Sequence, residues 1–254
     1  MTGLVDTSVF CGCWPFRPTA LRDPVELKAR LESAGACRAW VASAEAVFAP
    51  DPMQANEPML EQIAGDDFFV GVAAVNPVLA TWRSDAEACL ARSGCRALKL
   101  FPSYHAYDLA GPAVDGVAEL AGSAGVPVCV QILMLDPRSQ HPASLVEAPP
   151  PAALTELALR HPGTRFLACG GLTAHLEKLS EAKNVWAEMS HIDGDQALRR
   201  GVEAMGPERI VFGSHSPYHY FEAMAAKLDV APEDVEPGVV EKVRSINAAE
   251  LLGD

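Results

Sequence analysis

Three side chains able to do acid–base or charge chemistry stand in or just beyond short apolar runs. They are Lys99 in residues 97–101, Glu188 in residues 185–189 and His215 after residues 210–213. A charge in such a run is costly to bury alone. Lys99 and Glu188 therefore either form a buried ion pair or leave a lysine of lowered pKa that acts as a base or holds a carboxylate. His215 is the best candidate for a general acid or base, because an unperturbed imidazole titrates near neutrality. The competing reading is a structural histidine held by hydrogen bonds. Tyr104, His105 and Tyr107 follow residues 97–101 closely enough to meet a ligand, or else they pack into their own loop. His191 and Ser190 follow the Glu188 run. Asp136, Arg138, Gln140 and His141 occupy a long irregular stretch, and the planar fork of Arg138 suits a substrate carboxylate. Tyr218, His219 and Tyr220 are expected to begin a helix. His161 and His175 are expected in or beside helices, away from this chemistry. Cys11 and Cys13 straddle Gly12, but no second pair completes a metal or redox motif.

These residues need elements to position them. Apolar runs at 3–9, 39–42, 68–75, 97–101, 126–133, 165–169, 185–189 and 210–213 read as strands. Helical patterns at 80–91, 112–121, 151–159, 172–180 and 196–205 alternate with them, and a helical tail covers 239–252. At the first helix, Asp23-Pro24 reads as an N-cap followed by proline in the first turn, and Gly35 as the stop. Such alternation implies parallel strands joined by helical crossovers. Eight units in 254 residues fit a single (β/α)₈ TIM barrel of class α/β, expected as one domain over residues 1–254. A doubly wound open sheet is the alternative, but no glycine-rich phosphate fingerprint follows the first strand. The stretch 134–150, with Pro137, Pro142, Pro149 and Pro150, is either a lid or a surface excursion.

Composition limits the partners. A formal net charge of −13 disfavours nucleic acid and anionic membranes. Residues 1–10 show no basic segment before an apolar run, and no stretch of 18 apolar residues exists, so a cytoplasmic protein is expected. The seven cysteines, an odd number and mostly in apolar segments, are expected to be reduced.

Several segments, in order along the whole chain, resemble the amidohydrolase-2 branch of the amidohydrolase superfamily. Residues 5–12 (Val5-Asp6-Thr7-Ser8-Val9-Phe10-Cys11-Gly12) resemble its Asp-x-His-x-His-x-Gly opening strand. Leu98-Lys99-Leu100-Phe101-Pro102 is similar to its fourth strand, Pro127-Val128-Cys129-Val130-Gln131 to its fifth and Phe166-Leu167-Ala168-Cys169-Gly170-Gly171 to its sixth. Residues 184–190 resemble its seventh strand, Phe212-Gly213-Ser214-His215-Ser216-Pro217 its eighth and residues 247–252 its closing helix. Gly12-Cys13-Trp14-Pro15-Phe16-Arg17 adds a likeness to a subgroup without an assigned reaction.

The resemblance implies a hydrolase with one or two divalent metals, held by histidines on strands one, five and six and an aspartate on strand eight. Here those positions are Ser8, Phe10, Gln131, Cys169 or Gly170, and His215. Phenylalanine cannot ligate a metal, so the usual binuclear site is not expected. If the ligand positions face inward, side-chain alternation turns Ser8, Phe10, Lys99, Phe101, Gln131, Cys169, Glu188, Ser190 and His215 inward as well. Val5, Val9, Leu100, Val130, Phe166, Val185, Ala187, Ile210 and Phe212 then face the helices.

Three readings follow. The first is an acid–base hydrolase of a small, carboxylated amide or lactone, or by family variation a decarboxylase. His215, Glu188, Lys99 and His105 are its catalytic residues. Ser8, Phe10, Phe101, Tyr104, Tyr107, Gln131, Arg138, His141, Ser190 and His191 bind the substrate. No metal ligand and no cofactor are expected. The second reading is a hydrolase with one zinc held by three of His105, His141, His191 and His215, with Glu188. The third is a non-catalytic barrel that binds a small molecule or joins a larger assembly, including a homo-oligomer. Trp14-Pro15-Phe16 would either wall the pocket or cap the barrel.

Overall fold

A computed structural model describes every residue except 1–2, 17, 20–21, 195 and 231–234; Arg17 of the opening word lies outside the described residues. Eight strands form one parallel sheet in the order of the chain: β1 (Leu4–Cys11), β2 (Ala36–Ser43), β3 (Phe69–Ala74), β4 (Cys95–Leu100), β5 (Val128–Gln131), β6 (Phe166–Cys169), β7 (Val185–Glu188) and β8 (Ile210–Val211). The sheet closes on itself. Thr7 N donates to Phe212 O (3.0 Å), His215 N to Ser8 O (2.8 Å) and Phe10 N to Ser216 O (2.8 Å). Helices α1 (Pro24–Ser33), α2 (Met53–Gln62), α3 (Trp82–Leu90), α4 (Pro112–Ala124), α5 (Pro151–Arg160), α6 (Thr173–Ser180), α7 (Ala197–Met205) and α8 (Phe221–Asp229) fill the connections, giving a (β/α)₈ barrel. Among the described residues no helix is long and apolar enough to cross a membrane.

Local signals explain most of these elements. Asp23 Oδ1 caps α1 through Val25 N (2.7 Å), with Pro24 in the first turn. The final stretch, 239–252, is anchored to β8 by Asn247 Nδ2, which donates to Pro207 O and Ile210 O. Two helices depart from the sequence reading. Helix α2 lies where the sequence showed no regular pattern; it contains Pro58, and its buried side chains include Asn56, which hydrogen-bonds Ala74 on β3. Helix α8 begins at Phe221, so Tyr218, His219 and Tyr220 precede it. The reason is a turn at His215, whose φ of 57° is left-handed and whose carbonyl accepts Tyr218 N and His219 N.

The core has two layers. Leu100, Val130, Phe166, Val185, Ala187, Ile210 and Phe212 pack outward against the helices, while Phe10, Phe101, Cys129, Cys169 and Trp186 fill the barrel. Strand alternation thus sorts the two faces as expected, with one exception. Val5 packs inward, because the β1–β2 register shifts between Leu4 and Val5 and again between Asp6 and Val9.

Candidate functional site

The ends of β5 to β8 surround a cavity of about 650 Å³. Asp136 and Arg138 border it from the loop after β5, Leu172 from the start of α6, and Ser190 and His191 from the end of β7. Tyr218, His219 and Tyr220 close it after β8, with Met224 of α8. Barrel enzymes place their chemistry at this C-terminal face of the strands.

Glu188, at the end of β7, points into the barrel and is fully buried. Burial raises its pKa, and donors from Ser190 N (2.6 Å), Gly170 N and Ser190 Oγ (2.8 Å) oppose the rise. Ser190 Oγ also lies 2.7 Å from His191 Nδ1. A hydroxyl has one proton, and here it goes to Glu188. Nδ1 must therefore carry its own proton and donate it to Ser190 Oγ, an assignment inferred from the hydrogen bonds. Nε2 of His191 is then a lone-pair acceptor. It is buried, on the cavity wall, and has no hydrogen-bond partner among the described residues. Burial, then the positive fields of His219 and Lys227, push the His191 pKa down to about 3.

His215 lies beneath this wall and is completely buried. Its ring centre is 5.2 Å from that of His191 and 5.6 Å from that of His219. Nε2 donates to Met134 O (2.7 Å), and Nδ1 sits 3.5 Å from Ser8 Oγ, the outer limit of a hydrogen bond. Burial and the neighbouring histidines hold its pKa well below the usual value. Both nitrogens face protein atoms, and His215 does not line the cavity.

Lys99 does not pair with Glu188. Its ammonium lies over the rings of Phe10 (4.9 Å) and Phe101 (5.6 Å), which satisfies the charge through the aromatic faces. A second carboxyl, Asp6, was not singled out in the sequence. It accepts Ser8 N (3.1 Å) and Ser214 N (2.9 Å), while Oδ2 is buried without a partner. Burial raises its pKa to about 7.

The remaining sequence candidates lie elsewhere or have other duties. His105 Nε2 donates to Ala46 O (2.9 Å), on the opposite side of the mouth. Tyr104 packs on Phe48 (5.4 Å), and Tyr107 against the layer under the helices. Gln131 Nε2 donates to Leu133 O (2.6 Å). His141 stacks on Phe16 (5.0 Å) and accepts Ala143 N (3.1 Å). Arg138 reaches the cavity but is held by both oxygens of Asp136 and is otherwise exposed. Trp14 is buried against Phe48 (4.8 Å) and Tyr218 (5.1 Å), so the Trp14-Pro15-Phe16 segment caps the barrel instead of walling the cavity. His219 and Tyr218 were read as helix starts. The available signal was the spacing of His219 four residues after His215, which a tight turn brings to the same rim. Asp6 was equally accessible to reasoning, since it shares strand parity with Ser8.

The donors present do not fit the metal that the resemblance implies. Phe10 and Ser8 replace two imidazoles, Gln131 offers only a neutral amide oxygen while its Nε2 donates to backbone, and both His215 nitrogens are engaged. Among the described residues no three histidine, cysteine, aspartate or glutamate side chains converge on one point. The one-zinc alternative also fails to assemble, because His105 and His141 face away from His191 and His215.

Known structures share the fold. The 5-carboxyvanillate decarboxylase of Sphingomonas paucimobilis matches 100% of this chain and 99% of its own, with a TM-score of 0.79 and 16% identity. The 2,6-dihydroxybenzoate decarboxylase of Rhizobium gives 100%, 99%, 0.73 and 15%. A dihydroxybenzoic acid decarboxylase of Polaromonas, solved with manganese and the inhibitor 2-nitroresorcinol, gives 100%, 97%, 0.72 and 16%. No curated protein sequence matches. The sequence model of the family described as amidohydrolase matches residues 20–253, and with the barrel closed as above, the chain belongs to that amidohydrolase family.

Proposed function

We propose that this barrel is an enzyme that hydrolyses a small carboxylated amide or lactone by histidine acid–base chemistry, without the family's binuclear metal. The observation that carries this reading is the chain Glu188–Ser190–His191, which ends in an unpartnered Nε2 on the cavity wall. Nε2 takes a proton from a water poised against the substrate carbonyl. The imidazolium that forms keeps its Nδ1 proton on Ser190 Oγ, and Glu188 stabilises the charge through that hydroxyl. Nε2 then returns the proton to the leaving group. The low pKa of His191 keeps the ring neutral when the cavity holds no substrate, and a bound carboxylate beside it raises that pKa toward the working range. His191 thus takes the role that the sequence suggested for His215. Lys99 and Glu188 act from behind it as fixed charges, and His105 takes no part.

A second reading, decarboxylation, is favoured by the printed activities of the similar structures and by the aromatic wall of Tyr218 and Tyr220. There His191 delivers a proton to carbon as carbon dioxide leaves. One experiment separates the readings. Protein stripped with a chelator is offered small N-acyl amino acids, lactones and hydroxybenzoic acids, beside His191→Asn. Turnover of amides or lactones that disappears in His191→Asn supports the first reading. Carbon dioxide release from the acids alone supports the second. A strict requirement for added manganese or zinc overturns the metal-free route. Binding without turnover leaves a small-molecule receptor.

A further inference from the structure

Lys227 of α8 reaches across to the segment that carries His191, and the chemistry above does not use it. Its ammonium has three protons and three carbonyl acceptors, all on one short stretch after β7: Ile192 O (2.9 Å), Ser190 O (3.0 Å) and Met189 O (3.3 Å). The side chain is only 14% exposed, and among the described residues Asp193, 3.5 Å away, is the carboxylate within ion-pair distance. A surface lysine that served solubility would project into water. This one spends its donors on the backbone of one loop segment. Non-helical carbonyls at a strand end have no ladder partner, and a buried carbonyl without a donor is costly.

We infer that Lys227 is a positioning residue: by clamping the carbonyls of Met189, Ser190 and Ile192 it holds Ser190 Oγ on His191 Nδ1 and keeps Nε2 aimed at the cavity. Ile192 N also donates to Met189 O (3.2 Å), and Glu188 holds Ser190 N and Oγ, but among the described residues only Lys227 donates to the Ser190 and Ile192 carbonyls. His191 follows Ser190 directly, so a rotation of the Ser190 peptide moves both ends of the 2.7 Å contact. Other charged or titratable groups face His191 from the neighbouring elements, namely His215 and His219 after β8, Asp136 and Arg138 after β5, and Asp193 and Glu188 on its own segment. None of them donates to those three carbonyls.

The inference rests on the catalytic assignment of His191, but its test does not. The test uses full-length protein with ¹⁵N-labelled histidine, the His191 signals being assigned by their loss in His191→Asn. In the native protein the shifts report one neutral tautomer, with the proton on Nδ1. In Lys227→Met they are expected to move toward the average of both tautomers while the circular dichroism spectrum stays native. With any substrate found as above, kcat falls about 10- to 100-fold and KM changes less than about 3-fold, because reacting groups displaced by an ångström lose that much. Lys227→Gln, which retains two donors in a smaller cavity, is the second variant, expected to show a smaller loss if Lys227→Met fails to fold. A native His191 signature with unchanged kcat in either folded variant overturns the inference. A shifted signature together with a fully active His191→Asn would keep the clamp and sink the catalytic assignment instead.

Discussion

The two halves of the barrel mouth use similar residue types to opposite ends. Over β1 to β4, Trp14, Phe16, Phe48, Tyr104 and His141 interlock ring against ring, at centre distances of 4.8–6.2 Å. Over β5 to β8, histidines and tyrosines border open space. Both halves carry histidines on their loops, and the difference lies in what their nitrogens meet. His105 Nε2 and His141 Nδ1 each meet backbone, and His105 Nδ1, though without a partner among the described residues, is buried off the cavity. His191 is tied through a hydroxyl to a buried carboxylate, which orients one nitrogen and leaves the other for a ligand. A closed mouth gains stability from edge-to-face aromatic packing. An open one keeps polar atoms unsatisfied and gives up stability for chemistry.

The sharpest way to break this comparison lies within the open half, where the ends of β5 and β6 meet. Gly170, at φ 72°, would place a new Cβ only 2.1 Å from Leu133 O, and its N–H donates to Glu188. Gly170→Ala should cost about 4 kcal/mol or more, because the obstacle is backbone. A chemical denaturation midpoint close to that of the native protein would show that the β5 and β6 loops yield easily. Next in size is a reciprocal pair. Trp14→Ala should remove about 3–5 kcal/mol of stability. His191→Asn should change stability by less than about 1 kcal/mol but lower turnover about 10²–10⁴-fold. If the stability losses came out equal, the division into a structural and a chemical half would fail.

Much of the barrel was legible because parallel strands buried on both faces read as apolar runs, and their alternation with helices leaves few topologies. The inward set, with Phe10, Phe101 and Cys169 in it, followed from parity once the family resemblance set which face of each strand turns inward. Val5 did not, since a bulge that resets parity leaves no trace in hydrophobicity. The site was less legible for a geometric reason. Lys99 and Glu188 share a layer of the barrel, yet rings and backbone amides satisfied each charge before they could meet. His215 carried the motif, whereas His191 carries the open nitrogen; the distinction depends on which loop carbonyl, here that of Met134, lands on which ring.

Asp6 offers a smaller effect that reads the interior through pH. Its folded pKa, about 7, lies above the ordinary 3.8. The folded chain therefore holds a proton between about pH 4 and 7 that the unfolded chain has released. The stability Asp6 contributes is complete below pH 4 and is lost as pH rises through 7. Asp6→Asn cannot ionise in either state. Relative to native protein it should gain on the order of 3–4 kcal/mol between pH 4 and pH 8. The low pKa of His191 acts with the opposite sign, removing stability as pH falls from about 6.5 toward 3, but it is common to both proteins and cancels in the difference. A difference that stays flat with pH would mean that Asp6 is ionised in the barrel.

The smallest expected effect concerns Arg138, on the open rim. Its side chain is 90% exposed and engages Asp136 through Nε and Nη2, so an isolated exposed pair of this kind contributes little to folding. Arg138→Ala should leave the denaturation midpoint essentially unchanged. It should also release Asp136 from the pairing that holds its pKa at about 2. The informative quantity is affinity for a carboxylated ligand, measured by calorimetry beside the uncharged amide analogue. If Asp136 keeps the guanidinium during binding, Arg138→Ala weakens the carboxylate and the amide alike, by less than about 3-fold. If the carboxylate alone weakens by about tenfold or more, roughly 1.4 kcal/mol, the fork has exchanged Asp136 for the ligand. In that case the open half recruits its cation only when substrate arrives, whereas the closed half has its rings packed beforehand.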